Sequence, residues 1–205
     1  VGVTSFAVKI TGTLFMVFAI FLFTSNGVSF SFENMAGYIG FLMLVAISLR
    51  SGVIPFNLPY SKEIPLKIGM GNTIRMVGMA SSLIVLIRLV PGLQMVAFQS
   101  GLLFFAALAA LFAALMWVIY PNEFSARPFW IIIFSSLAIY SALSGSQIAS
   151  MIWSLDLLLA GSVLFLFSER DRRILFLPLL AIIGLSGLPF TPSAAGWEGL
   201  MQGGS

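Results

Sequence analysis

Three charged residues fall inside long apolar runs, where charge is expensive: Arg50, Arg75 and Asp156. An unpaired cation at bilayer depth costs on the order of 2.5 to 3.5 kcal/mol on insertion scales, so such groups must face protein, water or a headgroup. Arginine keeps its proton at any working pH, which suits Arg50 and Arg75 to the role of fixed charge or anion clamp rather than proton carrier. Arg50 lies close to the end of its run and either lines a wet interior or snorkels to the headgroups. Arg75 sits about two turns into its run, and the same two readings stand. Asp156 is near the middle of "IASMIWSLDLLLAGSVLFLF", and its side chain is too short to reach either surface. It is either a titratable carboxylate on an ion path or half of a structural ion pair or helix-to-helix hydrogen bond.

Two interruptions accompany these charges. "SGVIPF", Ser51 to Phe56, closes one run and "SGLPF", Ser186 to Phe190, closes another, with further prolines at Pro59 and Pro192. The hinge candidates are Gly52, Pro55 and Pro59 in the first break and Gly187, Pro189 and Pro192 in the second. Proline removes an N–H and frees a carbonyl, so each break exposes backbone groups that an ion path can use. Paired Gly/Pro interruptions in oppositely oriented segments are the trace of an inverted repeat with broken helices. The alternative is that proline simply marks helix ends beside loops.

The elements that carry these residues follow from composition. The chain of 205 residues is 60% hydrophobic and 8% charged, with a mean hydropathy of +1.08, which identifies an integral membrane protein. It has neither Cys nor His, so disulfides, thiol nucleophiles, imidazole bases and the usual zinc or haem ligands are missing, and neither a cofactor nor a metal is expected. The net charge of +3 is scattered between apolar blocks, which points to the lipid bilayer as a partner and away from nucleic acid. The first apolar run carries no small-residue cleavage site and the chain begins at Val1, so a fragment is expected rather than a signal peptide.

With about 20 apolar residues needed for one crossing, seven segments are predicted. They are Ser5 to Thr24, Gly37 to Pro55, Ile68 to Val90, Met95 to Tyr120, Pro128 to Leu143, Ile148 to Ser168 and Ile174 to Phe190. Period-two alternation is missing and the runs exceed the length of a barrel strand, so helices are predicted throughout. The expected fold is an all-α membrane protein: a single transmembrane domain over residues 1–205, a bundle of about seven helices with two broken helices in inverted orientation. Small residues in "GMGNTIRMVGMASS" and "FAALAALFAAL" read as close helix packing. Lys9, Lys62, Lys67, Arg127, Arg170, Arg172 and Arg173 fall on one side, and Arg88 falls on the other with Glu33 and Glu198. By the positive-inside rule the N-terminus and the "ERDRR" loop at 169–173 are then cytoplasmic, and the C-terminus lies outside.

"LRSGVIPFNLPYSKEIPLKIGMGNTIRMVGMASSLIVLIRL" resembles a stretch of the antiporter-like membrane subunits of respiratory complex I, of membrane-bound hydrogenases and of Mrp-type sodium/proton antiporters. The resemblance places Arg50 at the family's broken-helix lysine, Pro55, Phe56 and Pro59 at its break, and Arg88 at the arginine closing the next helix. "IIFSSLAI", "LLLAGSVLFL" and "GLSGLPFTPSAAGW" are similar to the family's Ala-Tyr-Ser-Ser segment, its helix bearing a His and a Lys, and its second broken helix. The similarity runs from about Ala7 to Trp197 and implies the middle and later helices of a longer subunit. Several charges differ: about Met79 or Ala80 stands where the family has a channel lysine, and Leu157 and Gly161 stand near its later His and Lys. Arg75 lies one turn before the lost lysine, near a position that is sometimes His, and Asp156 is the nearest remaining charge on the later helix.

The resemblance implies proton or Na+ translocation in a bacterial or archaeal cell membrane, beside other membrane subunits of a complex such as a proton-translocating NADH:quinone oxidoreductase. Electron transfer would then belong to those other subunits. The rival expectations are a non-conducting structural subunit of such a complex and an unrelated secondary transporter with broken helices. An intramembrane enzyme has no evident acid/base pair here.

Overall fold

Uniformly apolar runs of this length satisfy their backbone polar groups in a bilayer only by coiling on themselves, and the chain does so. The structure, a computed structural model, describes residues 2–25, 32, 35, 37–54, 68–93, 98–121, 123–167 and 176–202. Among the described residues there are eight helices and no strands: α1 (Gly2–Ser25), α2 (Gly37–Ser51), α3 (Ile68–Leu93), α4 (Gln99–Ile119), α5 (Glu123–Leu143), α6 (Gln147–Phe167), α7 (Phe176–Leu185) and α8 (Pro192–Gln202). Five contain stretches long and apolar enough to cross a membrane: Phe6–Ser25, Met76–Leu93, Gln99–Ile119, Ala126–Leu143 and Gln147–Leu164.

The other three helices are short. α2 has 15 residues, about 22 Å at the usual rise, which falls short of a hydrocarbon core of about 30 Å. The seventh expected segment, Ile174 to Phe190, holds α7 of 10 residues and a break, and beyond it lies α8 of 11 residues that the apolar pattern did not announce. The sequence "PSAAGWEGLMQ" is too rich in small and polar residues to read as a crossing, yet tertiary packing holds it helical.

α5 and α6 form the centre, packed on each other and on α3; α4 lies along α5, while α7 and α8 lie along α6. α1 packs on α2, which in turn meets α3. The four tryptophans of the chain join one aromatic row through Phe134, with centroid spacings of 5.4 Å (Trp117 to Trp130), 4.6 Å (Trp130 to Phe134), 6.1 Å (Phe134 to Trp153) and 5.1 Å (Trp153 to Trp197). That row ties α4, α5, α6 and α8 together with offset and edge-on ring contacts.

Arg127, counted from sequence among the loop cations, belongs instead to α5 and is buried there. Lys62, Lys67, Glu33 and the 169–173 loop lie outside the described residues, as do Pro55 and Pro59 of the first break.

Candidate functional site

α2 stops at its glycine for a local reason. Gly52 has φ +75°, its N–H donates to the Leu49 carbonyl at 3.4 Å, and the Val53 N–H donates to the Ser48 carbonyl at 3.0 Å. These two bonds, closed through a left-handed glycine, form a Schellman cap. Replacing Gly52 by Ala forces a Cβ into the left-handed region, so we expect a loss of about 1 to 2 kcal/mol, measurable as a lowered unfolding midpoint of the purified protein.

The cap brings Arg50 to the middle of the bundle rather than to its rim. Arg50 Nη1 donates to Thr13 Oγ1 at 2.9 Å, and Nη2 donates to the Gly78 carbonyl at 3.3 Å and to Ser81 Oγ at 3.0 Å. Thr13 stands halfway along α1, and Ser81 halfway along α3. The guanidinium thus reaches the midpoints of α1 and α3. Its stem passes over Gly12, where a Cβ would come within 2.7 Å of Arg50 Cγ and 3.0 Å of the Ala46 carbonyl oxygen. Among the described residues no acidic side chain contacts the guanidinium, which rests on neutral acceptors and on the carbonyl-rich end of α2, the favourable end for a cation.

The second break is bridged by one serine. Ser193, fully buried, accepts from the Gly187 N–H at 3.0 Å and donates to the Gly184 carbonyl at 2.8 Å, clasping the end of α7 to the start of α8. Gly187 has φ +69° and Phe190 has φ +73°, so the chain reverses sharply over these residues before Pro192 opens α8. α8 runs antiparallel to α6. A Cβ on Gly196 would meet the Trp153 ring at 2.8 Å and Ile152 Cγ2 at 3.3 Å, and one on Gly199 would meet Ala149 Cβ at 2.5 Å and Ser146 Oγ at 2.8 Å.

Asp156 lies one helical turn beyond Ile152 and Trp153, on the stripe of α6 that faces α8. Equal steps from the Gly196 contact bring Pro192, the first residue of α8, level with Asp156. Asp156 is thus level with the start of α8. Its residue is 7% exposed, and its Oδ2 is buried with no hydrogen-bond partner among the described residues. α3 also packs on α6, and Gly161 lies under Met76, with Met76 Cε at 3.2 Å from its would-be Cβ. Ser81, the partner of Arg50, stands at the midpoint of α3 as Asp156 stands at the midpoint of α6.

One level of the bundle therefore gathers Thr13, Arg50, Ser81, Asp156 and the second break. Ser135 and Ser136 of α5 reach the same level by counting outward from the α5–α6 turn, and both hydroxyls are buried without a hydrogen-bond partner among the described residues, as are Ser150 Oγ and the indole N–H of Trp153. Buried polar groups of this kind are ordinarily completed by ordered water. Of the three charges singled out from sequence, the structure places Arg50 and Asp156 at this level. Arg75 belongs to α3 below Ser81, and its side chain lies outside the described residues. Gly12, Ser193 and the unpartnered serines were missed, since small and hydroxyl residues scattered through apolar runs give no signal until helices are paired. Among the described residues no three His, Cys, Asp or Glu side chains come together as a metal site would require. No family model, curated protein or solved structure matches the chain.

Proposed function

We propose that the chain is a proton- or cation-translocating membrane subunit of the antiporter-like type found in complex I and Mrp antiporters. The observation that carries this reading is Asp156 at the midpoint of α6, its Oδ2 buried with no hydrogen-bond partner among the described residues, level with the midpoints of α1 and α3 that Arg50 bridges and with the start of α8. A carboxylate halfway through a bundle is costly unless it exchanges a proton or a cation with water, and the serines around its level supply polar groups for that water. In this reading Arg50 is a fixed positive charge that repels cations from one side of the level, Arg75 and Asp156 set the occupancy of a hydrated half-channel, and the broken backbones admit the water. The N-terminus and the 169–173 loop are cytoplasmic in this arrangement, by the distribution of Lys and Arg.

The test is ion flux in proteoliposomes holding the full-length protein with its natural partner subunits. Asp156→Asn keeps shape and removes the exchangeable charge, and we expect at least a tenfold fall in proton or sodium flux with assembly unchanged. Flux equal to wild type removes Asp156 from the path. A second reading, the non-conducting structural subunit, is favoured by Met79 and Leu157, which are buried in the apolar core where the resemblance sets titratable residues. It requires that the unaltered protein carry no flux in the same vesicles.

A further inference from the structure

Donors outnumber acceptors where Arg50 joins α1, α2 and α3. A guanidinium carries five N–H donors, and Arg50 makes three hydrogen bonds: to Thr13 Oγ1 at 2.9 Å, to Ser81 Oγ at 3.0 Å and to the Gly78 carbonyl at 3.3 Å. The last acceptor is crowded. Ser81 Oγ and Ser82 Oγ also donate to the Gly78 carbonyl, at 2.9 Å and 3.3 Å, and the i to i−4 pattern of the helix brings it the N–H of Ser82 as well. Thr13 Oγ1 spends its own proton on the Lys9 carbonyl at 3.0 Å. N–H groups of Arg50 are therefore left without an acceptor, and no carboxylate balances its charge, among the described residues. They are within reach from outside: Nε, which makes none of these bonds, is not sealed off, and Thr13 and Ser81 are both exposed.

We infer that Arg50, Thr13 and Ser81 form a binding site for one small monovalent anion of the halide class, held between α1 and α3 on the unused N–H groups of the guanidinium. One negative charge cancels the single positive charge. A dianion such as sulfate would leave a net negative charge beside the carbonyl-rich end of α2, which repels it. Desolvation selects in the same direction. Along α1 the exposed neighbours of Thr13 are Ile10 and Val17, and along α3 those of Ser81 are Val77 and Ile84, so an entering ion sheds water on apolar ground. The cost of that step rises steeply with charge. The hydroxyls of Thr13 and Ser81 turn toward the anion at little loss, because the carbonyls they leave keep their helical N–H partners. The inference rests on the donor surplus at Arg50 alone and holds whether or not the bundle conducts ions.

The test is equilibrium binding of radioactive chloride to the purified full-length protein with its natural partner subunits, in gluconate buffer of fixed ionic strength. Saturable binding at one chloride per chain is expected, displaced by bromide and untouched by an equal concentration of sulfate. Arg50→Met should weaken it at least tenfold, and Thr13→Val and Ser81→Ala several-fold each. Arg88→Met, which removes an exposed arginine further along α3, should leave it unchanged. Thr13→Val keeps the guanidinium, so it decides the question even where Arg50→Met disturbs the bundle. A carboxylate from another segment already seated on Arg50 would leave no chloride binding, and that result overturns the inference. Displacement by sulfate as effective as by bromide, or binding that Arg50→Met, Thr13→Val and Ser81→Ala all leave intact, overturns it equally.

Discussion

Arg50→Met should leave the bundle at least as stable as it is now while cutting ion flux by an order of magnitude or more. Every partner of the guanidinium is already served inside its own helix. Thr13 Oγ1 donates to the Lys9 carbonyl at 3.0 Å, and Ser81 Oγ donates to the Gly78 carbonyl at 2.9 Å, so removing Arg50 orphans neither. Hydrogen bonds between membrane helices contribute on average about 0.6 kcal/mol each, so the three that Arg50 makes sum to roughly 2 kcal/mol. The insertion cost of the cation is about 2.5 to 3.5 kcal/mol. The balance favours methionine, whose unbranched stem lies over Gly12 as the arginine stem does. Unfolding by denaturing detergent measures the first half of the prediction, and vesicle flux measures the second. A clear loss of stability would instead make Arg50 a structural staple of α1, α2 and α3, as the non-conducting reading requires.

Gly199→Leu is expected to lift α8 from α6 and to lower stability by about 1 to 3 kcal/mol, the usual range for overpacking. The contact leaves no room for adjustment at the near end. Ala149 Cβ, 2.5 Å from the position that a Gly199 Cβ would take, is fixed to the backbone of α6 and has no rotamer by which to move away. Ser146 Oγ, at 2.8 Å, has a rotamer to give but lies at the turn that starts α6. As α8 moves, Trp197 leaves the edge-on contact with Trp153, now at 5.1 Å between ring centres. Tryptophan emission should therefore shift together with the lowered unfolding midpoint. Gly199→Ala presses on the same atoms with one methyl and should show a smaller change of the same sign. An unshifted emission spectrum with wild-type stability would contradict the α6–α8 packing described above.

Much of the helical layout could be read from run length. The segments expected at Ile68 and Gly37 start where α3 and α2 start and miss their ends by three and four residues, and those around Ser5, Pro128 and Ile148 lie within five residues of α1, α5 and α6, because a lipid-soluble helix must be apolar over its whole length and the ends are marked by polar or turn-forming residues. α8 was not legible, since "PSAAGWEGLMQ" owes its helicity to close approach at Gly196 and Gly199 rather than to its own hydropathy. Arg127 was misplaced for a related reason: α5 starts before the apolar run does, and a charge in the first turns of a helix looks like loop to a hydropathy reading. The charges of the candidate site were visible because charge in an apolar run is rare. Their common level was not visible, because depth depends on which residues of neighbouring helices meet, as at Gly12 with Arg50 and at Gly161 with Met76.

That common level has an electrical meaning. A full elementary charge moved across a membrane gains or loses about 2.3 kcal/mol for each 100 mV. A cation travelling from either aqueous phase to a group halfway through crosses roughly half of that drop, on the order of 1 kcal/mol. On the proposed path the membrane potential of an energised cell would thus alter the occupancy of Asp156 several-fold without any residue changing place, and Arg50, fixed at the same height, would add an offset that voltage cannot remove.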